Sequence, residues 1–272
     1  MLGRRRDGYH SLDSLVAFAR LGDRLTLQPG GPLALSLRGA TAAQAGELDD
    51  NLVLKAARAL AGEVPGLTLG RFLLEKRLPV AAGLGGGSSD AGATLRLLAR
   101  ANRLSLDDVR LQRAARRVGA DVPVCVDPRP RRMRGIGEVL SGSLTIPKFA
   151  AVLVNPGVAV PTRDVFAILA LKPGSRRKRA GPARALSGKH DQFLAFLARG
   201  RNDLEPAAVK LQPVIARVLA ALGGASGCRL ARMSGSGATC FGLFDSSRAA
   251  AVAARKIASA HPRWWVKATI LG

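Results

Sequence analysis

Apolar residues recur at two different spacings along the chain, and the spacing predicts where strands and helices form. Alternation over a few residues predicts a strand, whereas apolar positions three and four residues apart predict a helix. Leu52, Ala56 and Leu60, for example, share one helical face behind Asn51, a capping residue type. Strands are expected at 12–18, 24–28, 33–37, 71–76, 149–154, 228–231, 239–244 and 264–270. Helices are expected at 52–60, 90–99, 106–117, from 162 onward, at 202–222 and at 246–260.

The predicted elements fall into two groups, and each group mixes helices with strands. We therefore expect an α+β fold with one domain over residues 1–145 and a second over residues 146–272. Ser105 is expected to cap the helix that follows it. Asn202 is expected to cap a long helical segment that Pro213 interrupts.

A loop rich in glycine lies between the strand at 71–76 and the next helix. It contains Gly83, Gly85, Gly86 and Gly87, followed by Ser88, Ser89 and Asp90. Glycines let several backbone N–H groups turn toward one point, and the last three residues are capping types, so we expect the helix to start among them. Such a helix start carries unbonded N–H groups and a partial positive charge, and it binds phosphate. The alternative is a flexible connector without a ligand.

Two familiar phosphate-binding motifs do not match this loop. It lacks the Gly-Lys-Ser/Thr ending of a Walker loop, and it lacks the third glycine of the dinucleotide-binding fingerprint. The loop therefore predicts a third type of nucleotide cradle.

Asp121 and His10 are candidates for chemistry, and in both cases a structural interpretation stays open. Asp121 stands between a helix end and the apolar run 122–126, which is expected to be a buried strand. It is either a capping or turn residue or a base held on a rigid edge. His10, next to Tyr9, is either a satisfied surface histidine or part of a ring-lined ligand pocket.

Charge and composition narrow the possible partners. The chain has 272 residues, with 42 Lys and Arg against 19 Asp and Glu, so its formal net charge is +23. Such a charge favours nucleic acid, but it is spread along the chain, and aromatic residues make up only 4% without clusters that could stack bases. We expect a basic surface that attracts small polyphosphate ligands. A basic RNA-binding module is the alternative.

Membrane, disulfide and zinc functions find no support in the sequence. No apolar stretch approaches the ~20 residues of a membrane span, and the N-terminal residues lack the apolar core of a signal peptide. The three cysteines show no Cys-x-x-Cys spacing, so neither a disulfide framework nor a zinc site is expected. We expect a cytoplasmic protein.

Several linked motifs resemble the GHMP kinases, a superfamily of small-molecule kinases. Residues 78–91 resemble the second, phosphate-binding motif of that family, and residues 233–239 resemble its third motif. The segments Gly-Tyr-His at 8–10 and Gly-Ala-Asp-Val-Pro at 119–123 are similar to the branch that acts on a cytidine diphosphate derivative. The resemblance implies an N-terminal ATP-binding domain, similar to a ribosomal protein domain, and a C-terminal α/β sandwich domain.

The resemblance also implies roles for individual residues. The γ-phosphoryl group of ATP would pass to a hydroxyl of the substrate, with Asp121 as the base and with Mg²⁺ held mainly through ATP, without a protein metal site. The ATP-binding residues would be Asn51, Leu52, Pro79, Val80, Ala81, Ala82, Gly83, Leu84, Gly85, Gly86, Gly87, Ser88 and Ser89. The cytidine end of the substrate would be surrounded by Tyr9, His10, Thr162 and Phe166. The alternative within the family is a homoserine or mevalonate kinase, and we expect a monomer or a weak homodimer.

One departure from the family pattern concerns the N-terminal residues. The family carries a strand with a Lys-x-Asn-Leu pattern shortly before Gly-Tyr-His, and that strand is absent here because Met1 lies two residues before Gly3. Because the lysine of that pattern is missing together with the strand, we expect the chain as given to bind ATP but to phosphorylate poorly. A second expectation is that the basic stretch Lys172–Ser187 forms an exposed, mobile loop, to which we assign no role.

Overall fold

The computed structural model describes residues 1, 3–7, 9–80, 82–169, 171–172, 174–175 and 190–272. The predictions for Ala81, for Gly8 of the Gly-Tyr-His segment and for most of the basic stretch at 172–187 lie outside these residues.

The described N-terminal half alternates short strands with four α-helices and one 3₁₀-helix. Its strands are β1 (Gly3–Arg4), β2 (His10–Val16), β3 (Arg24–Pro29), β4 (Ala34–Arg38), β5 (Gly70–Glu75), β6 (Arg131–Gly135) and β7 (Val139–Leu140). Its helices are α1 (Leu52–Glu63), α2 (Gly86–Ala101), α3 (Val109–Val118) and α4 (Val122–Val126), with the 3₁₀-helix at Ala42–Gln44.

The described C-terminal half continues with five helices and four strands. The helices are α5 (Thr162–Leu169), α6 (His190–Arg199), α7 (Glu205–Leu211), α8 (Val214–Gly223) and α9 (Ser247–Ala260). The strands are β8 (Phe149–Asn155), β9 (Cys228–Met233), β10 (Cys240–Phe244) and β11 (Trp265–Leu271).

The strands of the described residues form three sheets, and each sheet uses strands from one side of residue 146 only. The first sheet has the order β1-β2-β6-β7, and all its neighbours are antiparallel. The second has the order β3-β5-β4, with β4 parallel to β5. The third, in the C-terminal half, has the antiparallel order β11-β8-β10-β9. The domain boundary between residues 145 and 146 stays a prediction.

The cores follow from which faces of the sheets are apolar. Helices α1, α2 and α3 cover the β3-β5-β4 sheet through buried leucines and alanines such as Leu60, Leu95 and Leu111. In the C-terminal half β8 is buried along its whole length, because α7, α8 and α9 cover one face of its sheet while Phe193 of α6 packs on the other. This fully apolar strand is typical of a central strand covered on both faces.

The two halves contact each other at the C-terminal strand. Ala19 forms an isolated antiparallel bridge with Leu271, and the Arg20 amide donates to the Ile270 carbonyl at 2.9 Å. The segment after β2 is therefore attached to the edge of the C-terminal sheet.

Two predictions for residues 105–126 are wrong, each for a local reason. The third helix starts at Val109 instead of residue 106, because the Asp108 carboxylate accepts from the Arg110 amide at 2.8 Å while the Ser105 hydroxyl is bonded to Asp107. The apolar run 122–126 is the short helix α4 instead of a strand, since Pro123 fits the first turn of a helix and has no N–H for a ladder.

The predicted long helix at 202–222 is two helices, α7 and α8. Pro213 precedes the first residue of α8, so the chain restarts a helix there instead of continuing one. Asn202 does accept a local amide hydrogen bond, from Leu204 at 3.0 Å, but α7 begins only at Glu205.

Candidate active site

The glycine loop leads from β5 into the first turn of α2. The helix begins at Gly86 with Gly85 in the left-handed conformation (φ 67°, ψ 24°) as its N-cap, and no side chain caps it. The expectation that Ser88, Ser89 or Asp90 starts the helix is therefore wrong by two or more residues. Glycine adopts this conformation without steric cost, so the backbone itself forms the turn. The amides of Gly86, Gly87 and Ser88 consequently have no acceptor inside the helix.

A second loop of small residues, 234–238, packs against the first. The Ser234 hydroxyl donates to the Gly83 carbonyl at 2.9 Å, and the Thr239 amide donates to the Ala82 carbonyl at 3.1 Å. A Cβ at Gly83 would lie only 2.4 Å from the carbonyl oxygen of Gly237. The contact between the two loops therefore requires glycine at position 83.

Two asparagine side chains support this second loop. The Asn202 amide donates to the carbonyls of Met233 at 2.9 Å and Gly235 at 2.7 Å. The Asn155 amide, which is buried, donates to the Thr239 hydroxyl at 2.9 Å. The peptide bond between Gly237 and Ala238 is cis.

The start of α1 lies beside the glycine loop, residues 83–89, which we name the phosphate loop after its predicted ligand. The Asn51 side chain caps α1 by accepting from the Val53 amide at 3.0 Å. A Cβ at Gly87 would lie 3.2 Å from Cδ1 of Leu52, so that leucine is in contact with the first turn of α2. The loop residues Pro79, Val80 and Leu84 connect β5 to this turn and are at least partly exposed.

Asp121 stands at the N-cap position of α4 but does not cap it. Its carboxylate accepts no hydrogen bond from the amides of the helix Val122–Val126 that it precedes. The capping interpretation of this residue thus finds no support. Although the residue as a whole is exposed, the protein on one side of the carboxylate displaces water, and this desolvation raises the pKa of Asp121 above its ordinary value.

Asp121 lies one helical turn before Cys125, and Cys125 contacts the first turn of α2. The Ser89 hydroxyl in the first turn of α2 donates to Cys125 Sγ at 3.7 Å. Burial raises the pKa of the Cys125 thiol to about 11, with a smaller contribution from the nearby Asp121 charge. α2 and α4 approach closely, since a Cβ at Gly92 would lie 2.5 Å from the Cys125 carbonyl oxygen.

Of the four predicted residues of the cytidine end, two are in contact with each other and two stand apart. The rings of His10 and Phe166 stack with centroids 4.6 Å apart and an interplanar angle of 28°. Tyr9 is 60% exposed and stands outside this stack. The Thr162 hydroxyl, at the start of α5, lies 2.8 Å from the hydroxyl of Ser236 in the second loop.

His10 has an unusual environment for a surface histidine. Its Nε2 atom is buried and has no hydrogen-bond partner among the described residues. Burial lowers the pKa of His10, and the positive charge of Arg4 lowers it further. The ring is therefore predominantly neutral near pH 7 and able to accept or donate one hydrogen bond at its edge.

A buried charged cluster under the loop was missed in the sequence. The Lys76 ammonium group binds the Asp90 carboxylate at 2.9 Å and also binds Asp23, and the side chains of all three are at least nine-tenths buried. A lysine just after the apolar strand β5 was the signal that could have indicated it, since buried lysines require partners. Asp90, expected as a helix cap, is a member of this cluster instead.

Comparison with protein-family models shows two matches on this chain. The model described as GHMP kinases N terminal domain matches residues 51–127, and the model described as GHMP kinases C terminal matches residues 183–263. The first match contains α1, the phosphate loop and Asp121, and the second contains the loop at 234–238.

Full-length relatives are similar at high identity. The chain is 58% identical to the 4-diphosphocytidyl-2-C-methyl-D-erythritol kinase of Xanthobacter autotrophicus, over 99% of this chain and 93% of the relative. It is 57% identical to the protein of that name from Methylobacterium radiotolerans, over 100% of this chain and 94% of the relative.

Solved structures show the same similarity in three dimensions. A crystal structure of 4-(cytidine 5'-diphospho)-2C-methyl-D-erythritol kinase matches with a TM-score of 0.76 and 35% identity, over 100% of this chain and 94% of that chain. The homoserine kinase from Cytophaga hutchinsonii matches with a TM-score of 0.69 at 19% identity, over 96% of this chain and 94% of that chain. The second match concerns the fold alone.

Within the described ranges, no helix has the length and apolar character needed to cross a membrane.

Proposed function

This chain belongs to the GHMP kinase family, and from that premise we propose that it phosphorylates the 2-hydroxyl group of 4-diphosphocytidyl-2-C-methyl-D-erythritol with ATP. The two-domain fold and the ATP-dependent kinase activity that the motifs implied are confirmed by the relatives and by the structural match. The roles of the individual site residues stay predictions, and they are argued below as part of the proposal.

One observation carries the proposal for the site. The Ser89 hydroxyl in the first turn of α2 bonds to Cys125 of α4, the helix that Asp121 precedes. Phosphoryl transfer needs a phosphate cradle and one oriented proton acceptor within reach of each other, and it needs no covalent nucleophile. The arrangement supports such a transfer.

The nucleotide end of the site relies on backbone groups. In the proposal the amides of Gly86, Gly87 and Ser88 bind the triphosphate, with the positive end of the α2 dipole behind them. Leu52 contacts this first turn, and in the proposal it is near the adenine. Mg²⁺ enters with ATP, is held mainly by phosphate oxygens and neutralises part of their charge.

The acceptor end relies on Asp121. A carboxylate whose pKa is raised is a better proton acceptor than an ordinary one, because its basicity lies closer to the working pH. Asp121 would take the proton of the substrate hydroxyl as the hydroxyl oxygen bonds to the γ-phosphorus and the bond from that phosphorus to the oxygen of the leaving ADP breaks. The lack of a capping bond leaves its oxygens to the substrate.

The cytidine end relies on the contact of β2 with α5. Phe166 and His10 offer flat faces for a pyrimidine, and the buried His10 Nε2 offers one edge hydrogen bond. Tyr9, exposed beside them, offers a further ring, and Thr162 lies at the start of α5. These features support a substrate with a nucleobase at one end.

Turnover with defined acceptors tests the proposal. ATP consumption is measured with the cytidyl substrate, with homoserine, with mevalonate and with no acceptor, beside an RNA titration at several salt concentrations. We expect consumption only with the cytidyl substrate, and the expectation that the chain as given phosphorylates poorly stays a prediction that the same assay tests. Salt-dependent RNA binding without turnover, or turnover with another acceptor, would contradict the proposal. The absence of nucleic acid as a main partner and the monomer or weak homodimer stay predictions.

Asp121→Asn tests the proposed base, with Asp191→Asn on α6 as the matched control at an exposed carboxylate. Loss of a general base costs about 10²–10⁴-fold in rate, whereas nucleotide affinity is expected to stay the same. A rate within about threefold of the parent would remove Asp121 from the mechanism.

A further inference from the structure

The buried cluster of Asp23, Lys76 and Asp90 lies directly beneath the phosphate loop. Asp23 precedes β3, Lys76 follows β5, and Asp90 lies in the second turn of α2. The three side chains are 1%, 7% and 9% exposed, so their charges are almost fully removed from water. Three separate elements are thus joined by one ammonium group.

The cluster is in contact with both ends of the loop. Asp23 Oδ1 accepts from the amides of Arg77 at 2.6 Å and Leu78 at 2.9 Å, where the chain leaves β5. A Cβ placed on Gly86 would lie 3.8 Å from Asp23 Oδ2, so this carboxylate stands next to the first residue of α2. The negative charge is therefore adjacent to the amides that are proposed to bind an anion.

The charges in the cluster do not balance. Two carboxylates share one ammonium group, which leaves a net charge of −1 when all three groups are ionised. Burial raises the pKa of Asp90 to about 6, with the Lys76 charge opposing this and the Asp23 charge adding to it. Burial also acts to lower the pKa of Lys76, but the two carboxylates outweigh it and hold that pKa above its ordinary value. Lys76 is therefore the counter-charge on which the whole cluster depends.

We propose that Lys76 is a positioning residue for the nucleotide, whose buried ammonium group neutralises Asp23 and Asp90 so that the start of α2 can bind a triphosphate. The inference rests on the proposed function, since it assigns a role in binding ATP. Without Lys76 the net charge below the loop becomes −2 as long as Asp23 and Asp90 both stay ionised, in a region of low dielectric where repulsion is only weakly screened. Lys76 itself does not touch the nucleotide.

Four proteins separate a charge effect from a purely structural one. They are the parent, Lys76→Met, Asp90→Asn and the double variant. With every carboxylate and the lysine ionised, the cluster charge is −1 in the parent, −2 in Lys76→Met, 0 in Asp90→Asn and −1 in the double variant. Lys256→Met, at an exposed lysine of α9, is the matched control for loss of a lysine. Binding of the magnesium complex of a non-hydrolysable ATP analogue is measured at pH 8, where Asp90 is ionised, together with the melting temperature and the KM of each substrate.

If charge is the cause, affinity follows the cluster charge. Lys76→Met is expected to bind the analogue at least about tenfold more weakly, with the KM of the cytidyl substrate unchanged, and Asp90→Asn is expected to bind it at least as tightly as the parent. The double variant is expected to recover to within about threefold of the parent, because its cluster charge is the same. Lys256→Met is expected to bind like the parent.

A structural tie predicts a different order and would overturn the inference. In that case Asp90→Asn would bind more weakly than the parent, and the double variant would be no better than Lys76→Met. Unchanged binding by a folded Lys76→Met protein would overturn it as well. If Lys76→Met does not fold, Asp90→Asn and the double variant decide, since their expected affinities are defined against the parent.

The outcome is separable from that of the proposed function, because the titration needs no acceptor substrate. A parent that binds the analogue but does not phosphorylate the cytidyl compound contradicts the proposed function, while the order of affinities still decides the role of Lys76. A parent that does not bind the analogue overturns the inference itself.

Discussion

The two loops of small residues, 83–89 and 234–238, have similar sequences but different surroundings. The first leads into a helix, so the amides of Gly86, Gly87 and Ser88 have no acceptor inside that helix. The second leads into the strand β10, and its backbone groups are bonded internally, to Asn202 and to the neighbouring loop. The first loop therefore fits the proposed binding role, and the second loop supports the first.

The two loops also rest on different kinds of polar groups. Beneath the first lie three charged side chains, Asp23, Lys76 and Asp90. Beneath the second lie the neutral amides of Asn155 and Asn202. Neutral amides hold a loop at any pH, whereas buried charges add an electrostatic field and a dependence on pH. The loop that is proposed to bind phosphate is thus the one supported by charged side chains.

Substitution of Gly83 by alanine is expected to give the largest effect, because it disrupts the contact between the loops. Gly83 and Gly85 have nearly equal positive φ values of 71° and 67°, but a Cβ at Gly83 meets the Gly237 carbonyl while one at Gly85 meets nothing within 4 Å. Gly83→Ala should lose about 2–4 kcal/mol of unfolding free energy, and the matched Gly85→Ala about 1 kcal/mol. Denaturant unfolding of both measures the difference. Equal losses would show that the loops do not depend on each other.

The second expected effect is on the pH dependence of stability and concerns Asp90. Its folded-state pKa of about 6 lies above the ordinary value of 3.8, so folding favours the protonated form. The stabilising contribution is therefore complete below about pH 4 and is lost as the pH rises through about 6, up to about 3 kcal/mol.

Asp90→Asn removes this titration while Lys76, Asp23 and the nearby Cys125 thiol remain in place. The melting temperature of the variant relative to the parent should therefore increase between pH 4 and pH 7. An equal dependence of the melting temperature on pH in variant and parent would show that Asp90 titrates normally.

Asn202→Ala sharpens the comparison from the side of the second loop. The variant loses the donors to the Met233 and Gly235 carbonyls, at an expected cost of about 1–2 kcal/mol. This cost should not depend on pH, because an amide does not titrate. A pH-dependent loss would contradict the distinction between charged and neutral support.

Ser234→Ala is expected to have the smallest effect. It removes the single hydroxyl bond to the Gly83 carbonyl, worth about 0.5–1.5 kcal/mol, and leaves the bond from the Thr239 amide to Ala82 in place. Thermal unfolding and nucleotide titration measure it. A loss as large as that of Gly83→Ala would mean that the hydroxyl, and not the close backbone packing, joins the loops.

Local features of the fold could be predicted from the sequence because neighbouring residues determine them. The strands β3, β4, β5 and β8 and the helix α1 lie close to the predicted positions. The glycines of the phosphate loop predict its turn and a helix start, since a turn in the left-handed region followed by a helix is a property of a few adjacent residues. That this loop binds phosphate stays a prediction. Errors arose where two local signals competed, as at Ser105 and Asp108.

The sequence by itself thus determined the apolar spacing that distinguishes helices from strands, the turn of the phosphate loop and, through its linked motifs, the family. Only the tertiary structure decided what each polar residue does. Periodicity indicates which face of an element is buried, but not which distant residue meets it. The stack of His10 on Phe166 and the binding of Asp23 to Lys76 join residues far apart in the chain. Such pairs form because a buried charge or ring must find a partner, and the fold selects which partner is within reach.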